Sequence, residues 1–131
     1  MIGLDSNVML RAITGDDPIQ SPLARRFLSR LSGERPGVLN AVVLVEIAWT
    51  LRAKHKYRKH EILDRIEDLM RSDAYHVVDR DAVIQAMEIS AEHPIDFADA
   101  LIGEMNRCVG CERTVTFDQR ASLTPAFTQL Q

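Results

Sequence analysis

The sequence has 131 residues, of which 46% are hydrophobic and 27% are charged, and its net charge is −3. This length fits one domain over residues 1–131, and the sequence shows neither an apolar run of membrane-spanning length nor a secretory leader, so we expect a cytoplasmic protein. The negative net charge argues against nonspecific electrostatic binding of nucleic acid, which needs a basic surface.

The N-terminal segment predicts a strand, a helix and a turn. Residues 2–4 form a short apolar run that Asp5 ends. Ser6 is then predicted to cap a helix in which apolar side chains recur at helical spacing as far as Ile13. Residues 14–17 have the composition of a turn.

The next segment predicts two helices separated by a short strand. Pro18 is predicted to open a helix that runs to Leu31, where glycine and proline follow. Residues 38–39 predict a strand that ends at Asn40. A further helix is expected over residues 41–54.

Residues 60–70 predict an amphipathic helix, and residues 75–78 predict a strand after it. The helix that follows is expected to be capped by Asp79 or Asp81. His93-Pro94 is predicted to end it.

The last part of the chain predicts a helix over residues 95–108 and a strand over residues 114–117, which Asp118 ends. The final residues, including Phe127, predict either a short edge strand or a helical turn. Because strands alternate with helices along the whole chain, the sequence predicts an α/β fold with a parallel sheet.

Cys108 and Cys111 have C-x-x-C spacing at the end of a predicted helix. A redox motif of the thioredoxin type should instead open a helix after a strand, and a zinc ribbon needs a second cysteine pair. We therefore expect two reduced thiols near a helix end, with Gly110 as the C-cap.

Basic residues cluster locally between Arg52 and His60. We interpret this cluster as a solvated helix end and linker. An edge that contacts phosphate is the alternative.

Glu46 lies in the middle of a strongly apolar stretch, residues 38–51. The positions one helical turn away carry no cation, so no local ion pair can neutralise it. A carboxylate in apolar surroundings loses hydration that is worth several kcal/mol unless it is paired or bound to a metal. The pattern therefore predicts a buried carboxylate with a function.

Four acidic residues are predicted to approach one edge of the sheet. Asp5 and Asp118 follow strands directly, and ligands bind at the carboxyl ends of parallel strands. Glu46 lies about two turns into its helix, and Asp99 lies in the first turns of the 95–108 helix. Asp5 and Asp118 also have a structural interpretation as turn residues or N-caps, and Asp96 with Asp99 could form a capping box.

Acids gathered at one edge repel one another, and burial raises their pKa values. A divalent cation relieves both effects, and ligands that are all oxygen suit Mg²⁺ or Mn²⁺. Such ions act typically on phosphates, where they activate a water for in-line attack. The chain lacks the glycine-rich loops that bind nucleotide phosphates, so NTP hydrolysis and dinucleotide binding have no support.

Four stretches together resemble the PIN domain ribonucleases, and more closely the VapC toxins of bacterial and archaeal toxin–antitoxin pairs. They are LDSNVML, NAVVLVEIAWTL, DFADALI and TVTFDQRA, in that order. The resemblance implies a three-layer α/β/α fold with a central, mostly parallel sheet of 4–5 strands. It also implies a Mg²⁺- or Mn²⁺-dependent endoribonuclease that cleaves single-stranded or structured-loop RNA.

By position, the resemblance makes four acids catalytic and metal-binding residues: Asp5, Glu46, Asp99 and Asp118. Ser6 and Asn7 match the polar pair after the first acid, where a hydroxyl or amide can hold a ligand carboxylate. Asp96 matches a position that is often acidic without being a metal ligand, and is interpreted as a residue that supports the site or as a helix cap. Asn40 stands where relatives usually have Ser or Thr, which puts the usual hydroxyl contact from that position in doubt.

The resemblance also implies two protein partners. One is a cognate, VapB-like antitoxin whose tail orders on the toxin, and an apolar helix face with Leu23, Phe27 and Leu28 is the candidate surface. The other is a second copy of the chain in a symmetric homodimer. Ordinary core packing is the alternative for that apolar face.

Other functions remain open at this point. The domain could be a PIN nuclease of RNA processing or DNA repair, or a PIN-like module that binds RNA or protein without cleaving. A phosphatase with an aspartyl intermediate is disfavoured, because it needs a second Asp where the chain has Asn7.

Overall fold

Five short strands alternate with six α-helices in the computed structural model, which describes residues 1–131. The strands are β1 (Ile2–Gly3), β2 (Gly37–Leu39), β3 (Tyr75–Val77), β4 (Thr114–Thr116) and β5 (Phe127–Gln129). The helices are α1 (Ser6–Thr14), α2 (Gln20–Leu28), α3 (Ala41–Ala53), α4 (Lys59–Arg71), α5 (Arg80–Glu92) and α6 (Phe97–Cys108). None of these helices combines the length and the apolar character that a membrane span requires.

All strand pairs are parallel, as the alternating pattern predicted. β1, β2 and β3 form one sheet in that order, with Ile2 opposite Gly37 and Gly37 opposite Tyr75. β4 pairs with β5 in a second, two-stranded sheet, with Thr114 opposite Phe127. The α/β class with helices around parallel strands is therefore confirmed. The five strands form two hydrogen-bonded ladders rather than one continuous sheet, and β1, with only two residues, pairs with β2 alone.

Gly37 allows β1 and β2 to come together over the core. A Cβ atom at this position would collide with the side chain of Leu4 and would lie 2.9 Å from Cδ1 of Leu31. A larger residue would therefore push the strand away from its neighbours. The glycine that looked like a helix breaker in sequence is also a packing requirement.

Helix α3 packs against both α1 and α6, which makes it the centre of the structure. Its inner face is fully buried and consists of Val43, Leu44, Ile47, Ala48 and Leu51. These positions repeat with the period of an α-helix, so they form one stripe toward the core.

The prediction that Glu46 is buried is wrong. Glu46 lies on the exposed face of α3, together with Val42 and Trp49, which are 67% and 68% exposed. The helix looks apolar on all sides in sequence because two large apolar residues sit on its solvent face. No burial penalty therefore acts on this carboxylate.

Two predicted helix starts differ from the structure. α2 begins at Gln20 and not at Pro18. Pro18 and Ile19 form a turn before it, in which Asp17 Oδ1 accepts hydrogen bonds from the backbone N–H groups of Ile19 (2.9 Å) and Gln20 (2.7 Å). Ser6 is the first residue of α1 and not its cap, since Asp5 occupies the N-cap position.

Other helix boundaries also shift. α2 ends at Leu28, three residues before the predicted end, and α6 begins at Phe97 because Asp96 holds the N-cap position with extended backbone. Asp79 occupies the N-cap position of α5 in a left-handed conformation, with φ 55°.

The C-terminal segment contains both elements that were left as alternatives. A 3₁₀ helix over Ala121–Leu123 leads to strand β5. At the end of α6, Cys108 and Cys111 are exposed free thiols. Val109, and not Gly110 as predicted, occupies the C-cap position, and Gly110 follows it with a positive φ of 101°.

Candidate active site

The first part of the candidate site joins the start of α1 to the middle of α3. The hydroxyl of Ser6 donates a hydrogen bond of 3.2 Å to Oε2 of Glu46, across 40 residues of sequence. Ser6 is only 5% exposed, so its side chain is fixed by packing. The adjacent residue, Asp5, is thereby brought to the same end of the structure as Glu46.

Asp5 has the backbone conformation of an N-cap but not its side-chain hydrogen bond. Its φ and ψ are −87° and 153°, and its carbonyl oxygen accepts from the N–H of Met9 at 3.4 Å. The carboxylate is exposed and is not used to cap α1. The interpretation of Asp5 as a side-chain cap therefore fails, and its oxygens are available to a ligand.

Asp99 lies in the first turn of α6 and is half-buried. Burial raises the pKa of the Asp99 carboxyl above its ordinary value of 3.8, and the negative charges of Asp118 and Asp96 raise that pKa further. The charges of Asp118, after β4, and of Asp96, at the start of α6, therefore both act on Asp99. A cation would favour the ionised form of Asp99.

The capping-box interpretation of α6 is wrong. Asp96 occupies the N-cap position, but its side chain makes no capping hydrogen bond. Asp96 is exposed, whereas Asp99, in the first turn, is half-buried. The two carboxylates are therefore not consumed by the helix terminus.

Asp118 forms the turn between β4 and the 3₁₀ helix. Its Oδ1 accepts from the N–H groups of Arg120 (2.8 Å) and Ala121 (3.4 Å), and its own N–H donates to Oγ1 of Thr116 (3.0 Å). The turn interpretation is thus correct for one carboxylate oxygen. The other oxygen makes no hydrogen bond, and the turn fixes the direction in which it points.

Asn40 and Asn7 occupy different environments. Asn40 Oδ1 accepts from the N–H of Val43 at 3.0 Å, so this side chain caps α3 and replaces the hydroxyl of a serine or threonine in that role. Asn7 is exposed in the first turn of α1, beside Asp5 in the same groove.

The candidate site offers oxygen ligands suited to a metal ion, but they do not form a complete coordination site. Carboxylate oxygens are the ligands that Mg²⁺ and Mn²⁺ prefer, and Asp5, Glu46, Asp99 and Asp118 supply no other type. The structure does not bring three or more Asp, Glu, His or Cys side chains close enough to form one metal-binding group. It brings the candidates together in two parts, Ser6 with Glu46 and Asp99 with Asp118 and Asp96.

A groove of about 560 Å³ runs from Asp5 and Asn7 along α2. Leu23 and Phe27 line it and are 56% and 41% exposed. Leu28, which was grouped with them in the sequence, instead packs partly buried against the core.

A second cleft, of about 200 Å³, opens beside Asp99 and Asp96. Trp49 and Arg52 line it. Trp49 was not identified as a site residue from sequence, and Arg52 was noted only within the basic cluster, for which an edge that contacts phosphate was the alternative interpretation. The available signal was that Trp49, the sole tryptophan of the chain, lies one helical turn after Glu46.

The comparisons with known proteins agree with this architecture. A search of curated proteins found no match. The sequence model of the PIN domain family matches residues 2–126, which is nearly the whole chain and includes all four candidate acids. The chain therefore belongs to the PIN domain family, whose members are generally nucleases that use divalent metal ions.

Proposed function

We propose that the protein is a Mg²⁺- or Mn²⁺-dependent endoribonuclease that cleaves single-stranded or structured-loop RNA. The observation that carries this proposal is the environment of Asp99. A half-buried carboxylate whose pKa is raised by burial and by two further acids is a group that a divalent cation would stabilise in its ionised form. Membership of the PIN domain family supports phosphodiester hydrolysis as the reaction.

Asp5, Glu46, Asp99 and Asp118 are the residues that would hold the ion. When bound, such an ion neutralises negative charge on a phosphodiester and activates water for in-line attack. The chain offers no side-chain nucleophile among these residues, which fits hydrolysis by water.

The residues around the acids have positioning roles in this proposal. Ser6 orients the Glu46 carboxylate through its hydrogen bond. The backbone N–H groups of Arg120 and Ala121 hold one oxygen of Asp118 and leave the other free. Asn7 and Asp96 supply exposed polar groups beside Asp5 and Asp99.

The direct test is a cleavage assay with purified protein and a structured RNA. We expect cleavage with Mg²⁺ or Mn²⁺, loss of cleavage in EDTA, and recovery when excess metal is returned. Cleavage that continues in EDTA would contradict the metal dependence. RNA left intact under every metal condition, while the protein still binds it, would favour a binding module that does not cleave.

We further propose that the enzyme is the toxin of a toxin–antitoxin pair in the cytoplasm, with a VapB-like antitoxin as its partner. The groove that joins Asp5 to exposed Leu23 and Phe27 supports this partner, because an apolar peptide seated there could place a basic side chain at the acids. Expression should arrest growth, and co-expression of a short gene encoded next to it should restore growth. Growth arrest that also occurs with Asp99→Asn would contradict toxicity through cleavage.

A symmetric homodimer is the second proposed assembly. Sedimentation of the purified protein alone tests it. A monomer at all concentrations would contradict the dimer without affecting the cleavage proposal.

A further inference from the structure

The cleft beside Asp99 has an apolar floor and a polar rim. Buried side chains from three helices form the floor: Ala48, Ile62 and Phe97, which are 2–6% exposed. Trp49 and Arg52 line it from α3, and Asp96 and Asp99 line it from the start of α6. The cleft is therefore bounded by an acid of the candidate active site and by α3.

Trp49 contributes little to the core of the protein. It is 68% exposed, although a tryptophan ring is a large apolar surface that proteins normally bury. It lies three residues after Glu46 on α3, so the two side chains are neighbours on the helix surface. The fold gives no reason to hold an aromatic ring in water at this place, whereas a ligand with a planar ring does.

Arg52 is the cation of this cleft that is free to bind a ligand. The Nζ of Lys59, which also lines the cleft, donates to the carbonyl oxygens of Ser90 (2.7 Å) and His93 (2.8 Å) and is committed to the end of α5. Arg52 is exposed and makes no side-chain hydrogen bond or ion pair.

We propose that this cleft binds one nucleotide of single-stranded RNA, with its base stacked on Trp49 and a backbone phosphate contacted by Arg52. This inference rests on the proposed ribonuclease function and adds the subsite that holds the strand beside the acids. Bases of any sequence stack on aromatic rings, and arginine binds phosphate through a planar pair of donors. The carboxylate of Asp96 repels phosphate, so the base rather than the backbone lies on that side of the cleft.

Tryptophan fluorescence tests the proposal directly, because Trp49 is the only tryptophan in the chain. The probe is an RNA octamer without secondary structure, added in Mg²⁺ to the Asp5→Asn variant so that cleavage does not interfere. We expect saturable quenching of emission with the same midpoint as binding followed by anisotropy of an end-labelled octamer. An octamer that binds by anisotropy without changing the emission, or that fails to bind at millimolar concentration, overturns the proposal.

Kinetics on the otherwise wild-type enzyme provide the second test. Trp49→Ala should raise KM for a short single-stranded RNA by roughly 5- to 150-fold, the loss expected for one base–aromatic stack, with a smaller change in kcat. Trp49→Phe should recover part of this loss. Trp49→Leu, which keeps apolar bulk without the ring face that a base stacks on, should not.

Matched controls separate the cleft from general effects. Val109→Ala changes an 81% exposed apolar residue at the other end of α6, and Lys54→Ala removes an exposed cation next to α3 that does not line the cleft. Both should bind and cleave RNA as wild type does, whereas Arg52→Ala should weaken binding and flatten its salt dependence. Equal loss in Lys54→Ala and Arg52→Ala would overturn the role of Arg52.

The two proposals fail in different ways. If wild type does not cleave RNA with any metal, the ribonuclease function fails, whatever the fluorescence shows. If wild type cleaves and Trp49→Ala has unchanged KM, only the subsite fails. Emission that changes with protein concentration in the absence of RNA, together with a smaller sedimentation coefficient for Trp49→Ala, would assign Trp49 to contact between copies and overturn the subsite.

Discussion

The hydroxyl of Ser6 and the carboxylate of Glu46 are joined by a 3.2 Å hydrogen bond, although 40 residues separate them in the sequence. Ser6 is buried and Glu46 is exposed, so the bond attaches an exposed carboxylate to a side chain that is packed in the core. It also ties the start of α1, where Asp5 lies, to the middle of α3. The position of Glu46 relative to Asp5 therefore depends on this contact.

We expect Ser6→Ala to lower the free energy of unfolding by about 1 kcal/mol, the net worth of one such hydrogen bond. It should also reduce RNA cleavage, because Glu46 is no longer oriented. Urea denaturation and a cleavage assay on the same preparation measure the two effects. The cleavage defect should exceed what the unfolded fraction explains.

Ser21→Ala is the matched control for that variant. Ser21 is 2% exposed, and its Oγ accepts a hydrogen bond from the N–H of Asp17 at the start of α2, away from the acids. It should lose similar stability and keep full cleavage. Equal cleavage by the Ser6 and Ser21 variants would show that the contact to Glu46 has no role in activity.

Glu46→Gln should leave the free energy of unfolding within about 0.5 kcal/mol of wild type, because the side chain is exposed and glutamine can still accept from Ser6. It should weaken metal binding and cleavage. Calorimetric titration with Mn²⁺ measures the first effect directly. Wild-type Mn²⁺ affinity in this variant would remove Glu46 from the proposed ligand set.

Glu104 provides the contrasting acid. Its side chain is buried, and its Oε2 accepts a hydrogen bond from Nε of Arg107 (3.0 Å) and lies 2.9 Å from Nη2 of the same guanidinium. Because Arg107 is largely exposed, we expect Glu104→Gln to lower stability by only about 1 kcal/mol, without affecting metal binding. A larger loss of stability in Glu46→Gln than in Glu104→Gln would contradict the finding that Glu46 is exposed and Glu104 is buried.

The raised pKa of Asp99 should make the stability of the protein in EDTA depend on pH. Its pKa is raised above 3.8 in the folded protein, so the folded state holds a proton that the unfolded state has already released as pH rises. As pH rises from the unfolded-state pKa of Asp99 to its higher folded-state pKa, the free energy of unfolding of wild type therefore falls relative to that of a variant that lacks this carboxyl. Asp99→Asn should have the same stability as wild type at about pH 3, where the carboxyl is protonated in both states, and should become more stable than wild type toward neutral pH.

Thermal unfolding in EDTA at several pH values measures this difference. Adding Mg²⁺ at neutral pH should reduce the advantage of Asp99→Asn, because the ion stabilises mainly the protein that binds it. A variant whose stability runs parallel to wild type at every pH would show that Asp99 ionises without cost in the folded protein.

The hydrogen bond by which Asn40 caps α3 should contribute to the stability of the protein. Asn40→Ala should lower stability by about 1 kcal/mol, because the N–H of Val43 loses its acceptor. Asn40→Ser should stay within a few tenths of a kcal/mol of wild type, since serine caps equally well. Chemical denaturation measures the free energy of unfolding of both variants. Equal loss in both would mean that the amide of Asn40 makes a contact that a hydroxyl cannot replace.

The fold class was predictable because the periodicity of apolar residues marks strands and helices locally. The positions of Asp5 and Asp118 after strands followed from the same pattern. Burial of Glu46 was predicted wrongly because hydropathy does not reveal which apolar residues face water, and Val42 and Trp49 do. The chain's buried acid is Glu104, whose partner Arg107 lies three residues away and was visible in the sequence.

Details that depend on long-range contacts were not predictable. The separation of the strands into two ladders is a property of pairing between distant segments, which no local pattern encodes. The start of α2 was predicted at Pro18 and lies two residues later, after a turn in which Asp17 accepts from the N–H groups of Ile19 and Gln20. The catalytic roles of the four acids stay predictions.

The most direct test compares RNA cleavage in Mn²⁺ by wild type, Asp5→Asn and Asp99→Asn, after circular dichroism has shown that all three are folded. The proposed metal site predicts cleavage by wild type and a loss of about 100-fold or more in each variant. Cleavage at the wild-type rate by both variants would contradict the assignment of these acids.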